Sequence, residues 1–440
     1  MTIYNKNDRI KLRKSSVNGK NPEWRQTMEI KRDYYLKKLI DKQNNGLIKI
    51  VTGIRRCGKS YLLDPMFKNY LLTNGVKENH IIKMDLDIRE NRKYLDPDVL
   101  DSYIKEKIID DDKYYIILDE IQKVKDFESV LNGFLKIKNI DVYVTGSNSK
   151  FLSSDIVTEF RGRGDEIKVY PLSFKEFCQV NNEDKYSAWK EYITYGGLPL
   201  VLLQKENEEK INYLNFQTNN VYLNDVIERN NISNDKQLYE LLQIISSSVG
   251  SLTNPNKLYN TFISKGSGNV ITDKTIYSYL GYLEDAFIIH KSFRYDIKGK
   301  KYIDTPYKYY FTDIGVRNSV LGFRQIEENH IMENVIYNEL KVRGYNVDVG
   351  VVEIRERDDR KKLEIDFIVN KGYNKYYIQS ALNIDSDEKK LQELRPLLNV
   401  NDFFKKIIVV NSDIPKYKNE DGILIIGIYD FLLNENSLDF

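Results

Sequence analysis

Gly53-Ile54-Arg55-Arg56-Cys57-Gly58-Lys59-Ser60 decides the reading of the first half of the chain. It has the form G-x-x-x-x-G-K-S and lies between an apolar run, Leu47–Thr52, and a helix-like segment, Ser60–Leu72. Glycines near both ends let successive backbone N–H groups face one anion, at a helix N-terminus whose partial positive charge favours phosphate. In that setting Lys59 is expected to reach β- and γ-phosphates, and the Ser60 hydroxyl to ligate magnesium. The expected nucleotide cradle is Gly53, Ile54, Arg55, Arg56, Cys57, Gly58, Lys59, Ser60 and Tyr61. ATP and Mg2+ are the cofactors this pattern implies.

Outward from the loop, β-rich runs alternate with helical stretches. The expected strands are Leu47–Thr52, His80–Asp85, Tyr114–Leu118, Asp141–Thr145 and Glu166–Tyr170. Between them Ser60–Leu72, Pro97–Ile109, Phe127–Lys136 and Phe151–Phe160 read as helices. Such alternation implies βαβ units on a mostly parallel sheet, with ligands at the carboxyl ends of the strands. Tyr114-Tyr115-Ile116-Ile117-Leu118-Asp119-Glu120 is an apolar strand ending in two acids. Beside the phosphate loop, Asp119 is expected on the magnesium side and Glu120 as the base that activates water.

Beyond Pro171 the strand signal stops. Phe174–Val180, Lys185–Thr194 and Lys210–Arg229 read as helices, interrupted by Gly196-Gly197-Leu198-Pro199. Three further helices, the third capped by Thr272, precede a lysine-rich hairpin over Ile288–Thr312, a pattern that suggests a winged helix. A long helix, Ile331–Arg343, then opens a block with strand-like Asn346–Val352, Leu363–Val369, Lys375–Gln379, Lys405–Val410 and Gly422–Ile428. The expected divisions are a basic arm with a lead-in helix (1–42), a P-loop domain (43–170), a helical lid (171–234), a winged helix (235–322) and a last α/β domain (323–440).

Composition narrows the function classes. The chain has 440 residues, 2 Cys and 3 His, too few for a disulfide framework or a Cys/His zinc cluster. Its longest apolar stretch, Ile423–Leu433, is broken by Asp430, so no membrane span is expected and a cytoplasmic location is. The net charge of +2 hides an asymmetry: residues 1–42 carry 12 Lys+Arg against 5 Asp+Glu, a net +7, which leaves −5 for the rest. A basic arm can steer toward nucleic acid or an acidic partner, or be a solvated terminus.

Gly53–Ser60, Leu118-Asp119-Glu120-Ile121-Gln122, Val144-Thr145-Gly146-Ser147, Arg161-Gly162-Arg163 and Pro171-Leu172-Ser173-Phe174 together resemble a widespread prokaryotic AAA+ ATPase family. The resemblance continues through Tyr195–Pro199, Asn224-Asp225-Val226-Ile227-Glu228-Arg229, Lys308–Gly315, Glu333–Leu340 and Glu364–Phe367. It implies that Asn148 or Ser147, after a central strand, senses the γ-phosphate or orients water; the alternative is a plain turn. It also implies that Arg163, or Arg161, acts as an arginine finger on a neighbouring subunit, the alternative being a surface ion pair. In this resemblance the last domain looks like a PD-(D/E)xK, restriction-endonuclease-like fold. The helix acid is Glu333 or Glu339 and the strand acid Asp366, but Gln379 and Ala381 stand where an acid and a lysine belong. The loss implies a degenerate domain kept for binding, with Glu364 as the residue that could replace the missing acid.

The whole reads as an α/β chain: a P-loop AAA+ parallel-sheet domain with helical lid, then a winged helix and a degenerate nuclease-like domain. Expected partners are DNA, through the basic arm and winged helix (Lys274, Thr275, Tyr277, Lys298, Lys300, Lys301), or a protein docked on the last domain. A homo-oligomer is expected if the finger is real. The open alternatives are a slow ATP switch acting on proteins and an ATP-gated nuclease, the latter disfavoured by Gln379 and Ala381.

Overall fold

The computed structural model describes residues 30–147, 162–181, 183–264, 271–324, 326–356 and 359–438. Among these, β1 (Ile48–Thr52), β2 (Ile81–Asp85), β3 (Tyr114–Asp119), β4 (Ile140–Gly146) and β5 (Gly164–Lys168) form one parallel sheet of order β2-β3-β4-β1-β5. β1, β3 and β4 are buried along their whole length. Both of their faces are covered, so these strands read in sequence as largely apolar runs, and the charged exceptions within them, Lys49 of β1 and Asp141 of β4, pair with each other. Val51, Phe67, Tyr115 and Tyr143 pack on one face, and Ile50, Ile116, Leu118 and Val144 with Leu100 and Leu131 on the other.

The helical lid follows. Phe174–Cys178 starts at a reciprocal cap between Ser173 and Glu176, and Lys185–Tyr195 at Asp184. Asn207–Phe216 passes through a wider turn, Gln217–Leu223, into Asn224–Asn230. Helices Asp235–Ser247, Pro255–Ser264 and Asp273–Asp285 come next, and the Thr272 hydroxyl caps the third, as its sequence predicts.

The remaining strands are β6 (Ile289–Asp296), β7 (Lys301–Phe311), β8 (Asn346–Glu356), β9 (Asp359–Lys371), β10 (Asn374–Ala381), β11 (Lys405–Val410), β12 (Tyr417–Lys418) and β13 (Leu424–Gly427). They make a second sheet of order β12-β13-β11-β10-β9-β8-β6-β7. The β6–β7 hairpin, which the sequence assigns to a winged helix, thus forms one edge of the carboxyl-terminal sheet. β6 pairs in parallel with β8 through Arg294–Asp296, so the boundary expected at 322/323 crosses a continuous sheet. Pairing satisfies backbone groups that an isolated hairpin would leave at an open edge.

The cores are shared in the same way. One runs from the P-loop sheet through the three-helix block to Phe311, Val316 and Val320. Another joins lid residues Phe174, Trp189 and Tyr192 to Tyr310, Val335, Phe367 and Tyr429. Helix Ile314–Val320, at the junction, is buried at every residue, the polar Arg317, Asn318 and Ser319 included, so its polar residues mark no solvent face for periodicity to detect.

Candidate functional site

The loop Gly53–Ser60 leaves the carboxyl end of β1 and enters a helix at Lys59. Gly53 has φ +143°, and a Cβ there would collide with the Val169 carbonyl oxygen. Gly58, at φ +100°, is the cap residue before Lys59. Both conformations are ones that glycine adopts without steric cost. Lys59 is buried and its ammonium donates to the carbonyls of Gly53 (2.9 Å) and Ile54 (3.1 Å), so it is drawn over the loop by neutral oxygens alone. Cys57 is buried, with its Sγ 3.4 Å from the Val169 oxygen, which makes it a packing residue of the cradle.

Asp119 ends β3 beside Asp85, the last residue of β2. Burial raises the Asp119 carboxyl above the usual range, against hydrogen bonds from Thr145 and Ser60 that pull it down. Such a carboxylate gains by meeting a cation. Glu120 follows at φ +55°, an uncommon conformation for a residue with a side chain. Its N–H donates to Thr145 Oγ1 (2.9 Å), while its carboxylate accepts from Gln122 and from Ser147 Oγ (3.3 Å). Thr145 also donates to Asp119, so one hydroxyl at the end of β4 fixes both acids. The sequence points two and three residues beyond Thr145, to Ser147 and Asn148, rather than to Thr145 itself.

The lid closes on the loop through contacts that local pattern does not specify. Arg55 Nη1 donates to both oxygens of Asp225, at 2.8 and 2.9 Å, and the Tyr222 hydroxyl donates to the Arg55 carbonyl at 3.0 Å. Arg229, one turn beyond Asp225, donates to Asp225 (3.4 Å) and to Ser147 Oγ (3.3 Å). The i, i+4 spacing of Asp225 and Arg229 was the available signal. On the other side Arg32, 2% exposed, donates to the Cys57 and Tyr170 carbonyls, both at 2.8 Å, and to Glu176 at 3.0 Å.

The phosphate loop, the ends of β2 and β3, and Arg32 line a cavity of 560 Å³. Its lining combines polar Lys59, Ser60, Asp85, Asp119 and Glu120 with apolar Ile30, Leu172, Pro199, Leu200 and Leu203. Charged and apolar groups together suit a phosphate-bearing molecule with an aromatic base. The Ser60 hydroxyl with the Asp119 carboxylate is a hard-oxygen donor set of the kind magnesium takes, so the residues fit that ion.

Other expected residues lie elsewhere. Arg163 is exposed, and its carbonyl accepts from Ile48 N–H at the start of β1, the opposite end of the sheet from the loop that follows β1. Asn148 and Arg161 fall outside the described residues. In the carboxyl-terminal half Glu333, not Glu339, meets Asp366, through a lysine they share. Glu339 instead pairs with Arg343 at 2.7 Å. Gln379 accepts from the Asp366 N–H (3.3 Å), and Ala381 is buried at the end of β10. No helix among the described residues is long and apolar enough to cross a membrane.

An AAA domain family matches residues 45–178, and two families described as domains of unknown function, DUF8612 and DUF4143, match residues 186–327 and 328–431. The AAA match spans the P-loop sheet and both acids. An uncharacterized protein of Haemophilus influenzae is 34% identical over 413 residues, covering 92% of this chain and 98% of its own. One from Methanocaldococcus jannaschii is 28% identical, covering 87% of this chain and 86% of its own. Among solved structures a Walker-type ATPase of Pyrococcus abyssi is similar with a TM-score of 0.49 and 17% identity, over 68% of this chain and 98% of that one.

Proposed function

This chain belongs to the family of the Haemophilus influenzae protein, in which an AAA domain precedes two further domains, and on that premise we propose that it is a magnesium-dependent ATP hydrolase. The observation that carries the reading is the 560 Å³ cavity in which Lys59 and Ser60 face Asp119 and Glu120. Lys59 exchanges its two carbonyl partners for phosphate oxygens, and Ser60 and Asp119 hold the magnesium. Bound there, magnesium neutralises charge on the transferring phosphoryl group. Glu120, oriented by Gln122, Ser147 and the Thr145 contact, orders the attacking water and takes its proton. The γ-phosphate draws on Arg229 and Ser147, and Arg163, remote from its own loop, serves the nucleotide of a neighbouring subunit.

The cycle drives or switches contact with DNA or a protein. Exposed Lys274 and Tyr277 on helix Asp273–Asp285 favour a groove-reading surface. The second reading, a switch acting on proteins, is favoured by the hairpin: β6 is built into the carboxyl-terminal sheet, and Lys298 is tied to the Glu353 carbonyl at 2.7 Å. Phosphate release with and without duplex DNA tests both. Mg2+-dependent release is expected from the wild-type chain. Strong stimulation by DNA selects the first reading and indifference the second, while no release under either condition overturns the proposal. ATP-induced growth in native mass is the expected companion of the Arg163 role.

A further inference from the structure

The resemblance to a metal-dependent nuclease implies a divalent cation among the acids of the carboxyl-terminal sheet, and the residues found there do not fit one. Glu364 and Asp366 are two apart on β9, which puts both side chains on one face. Helix Glu328–Val342 brings Glu333 onto the same spot. Carboxylates gathered with little water need a cation or a proton. In a metal enzyme the cation would sit between them within normal oxygen coordination distances.

That position holds an ammonium. Lys308, on β7 and 3% exposed, places Nζ 2.8 Å from Glu333 Oε1, 2.7 Å from Glu364 Oε1 and 3.6 Å from Asp366 Oδ1. Burial works against its charge, yet the three acids hold its pKa above the ordinary lysine range. Other acceptor positions are also taken. The Tyr310 hydroxyl donates to Glu333 (2.7 Å), and the Ser380 N–H donates to Asp366 Oδ2 (2.8 Å). Burial and the charge of Glu333 push the Asp366 carboxyl up, while Lys308 and the Ser380 N–H pull it down. Gln379 supplies a neutral amide where an anionic ligand would stand, and hydrogen-bonds Glu393. One side is covered: the backbone of Gly250 lies against Glu333, so that a Cβ there would come within 3.1 Å of Oε2, while Glu364 keeps 33% of its side chain exposed. The same residue donates its N–H to the Tyr309 carbonyl at 3.2 Å.

We propose that Glu333, Glu364 and Asp366 form a cation site whose resident cation is the chain's own Lys308, which closes the site to divalent metal and clasps the β6–β7 hairpin to the carboxyl-terminal half. The register of β6 is consistent with this. A shift between Ser292 and Arg294 separates the part of β6 paired with β8 from the part opposite Lys308. A lysine from a strand belonging to the neighbouring sequence block thus fixes how that block sits on the last one. The inference stands whether or not the P-loop hydrolyses ATP.

The test is a thermal-shift and Mn2+-binding titration on the full chain without nucleotide, with D366N as the control for uptake at this site. Wild type is expected to show no Mn2+ uptake that D366N removes. K308M is expected to melt lower by about 3–5 °C. Mn2+ should restore much of that loss in K308M and none of it in K308M/D366N. Asp366-dependent Mn2+ uptake by wild type would overturn the inference, and that comparison holds even if K308M does not fold. A K308M chain as stable as wild type, or one that Mn2+ does not stabilise, would overturn it equally.

Discussion

Two groups of acids stand in this chain, and their partners set them apart. Asp119 and Glu120 are held by neutral donors, namely Thr145, Gln122 and Ser147, while the nearby Lys59 bonds to backbone carbonyls. Glu333, Glu364 and Asp366 surround Lys308 directly. The first arrangement keeps carboxylate charge and one ammonium apart, both lining an open cavity, where substrate and metal can separate them further. In the second the charges have already met. A buried pair of this kind is costly to break, about 3–5 kcal/mol when one partner is removed, and it has little left to offer a ligand.

The contrast predicts opposite consequences for removing each lysine. Lys59→Ala should lower ATP turnover on the order of 10²-fold or more, as expected when one preorganised charge at a reacting phosphate is lost. Its melting temperature should change little, because only two carbonyl contacts go. Lys308→Met should do the reverse, lowering stability and leaving turnover per folded chain near the wild-type value. Parallel melting curves and phosphate-release rates would break the comparison if both variants lost activity alone or both lost stability alone.

Smaller effects sharpen the picture of the open site. Thr145→Val keeps the shape but strips the hydroxyl from Asp119 and from the Glu120 N–H, an unsatisfied-group penalty of about 1–3 kcal/mol. Turnover should fall about tenfold, and the KM for ATP should move less than kcat, since the acids rather than the phosphate cradle are disturbed. Asp225→Ala releases Arg55 and Arg229, which are partly exposed, so a loss of up to about 1 kcal/mol, or fivefold in turnover, is expected. A KM rise with unchanged kcat in Asp225→Ala would mark the pair as a binding clamp only.

The same contrast explains what could be read in advance. Gly53–Ser60 and Tyr114–Glu120 are contiguous, and their chemistry is written in local spacing. Four strands of the P-loop sheet are legible for the same reason, each a short, mostly apolar run between turns, whereas β5, with Ile167 as its one buried residue, lies two residues before the expected Glu166–Tyr170. Thr145, Asp225 and Arg229 act across 25, 170 and 82 residues of chain, and beyond the i, i+4 spacing of Asp225 and Arg229 nothing near them announces these partners. Lys308 is the clearest case. The motif places a lysine two residues past Gln379, at Ala381, whereas the ammonium arrives from a strand residue 58 positions before Asp366. The pairing of β6 with β8 that brings it there has no sequence signature of its own. Helix Asp387–Leu398 escapes the sequence reading for a different reason: Leu391, Leu394, Leu397 and Leu398 have helical spacing, but Pro396 near its end interrupts the helical signal.

The most direct test of the nucleotide site is the Glu120→Gln variant, incubated with ATP and Mg2+, separated from free nucleotide and analysed for what it retains. Gln keeps the size and hydrogen-bonding reach of Glu120 but cannot take a proton from water. The account predicts ATP bound and intact on Glu120→Gln and ADP on the wild type. ADP on both, formed at equal rates, would contradict it.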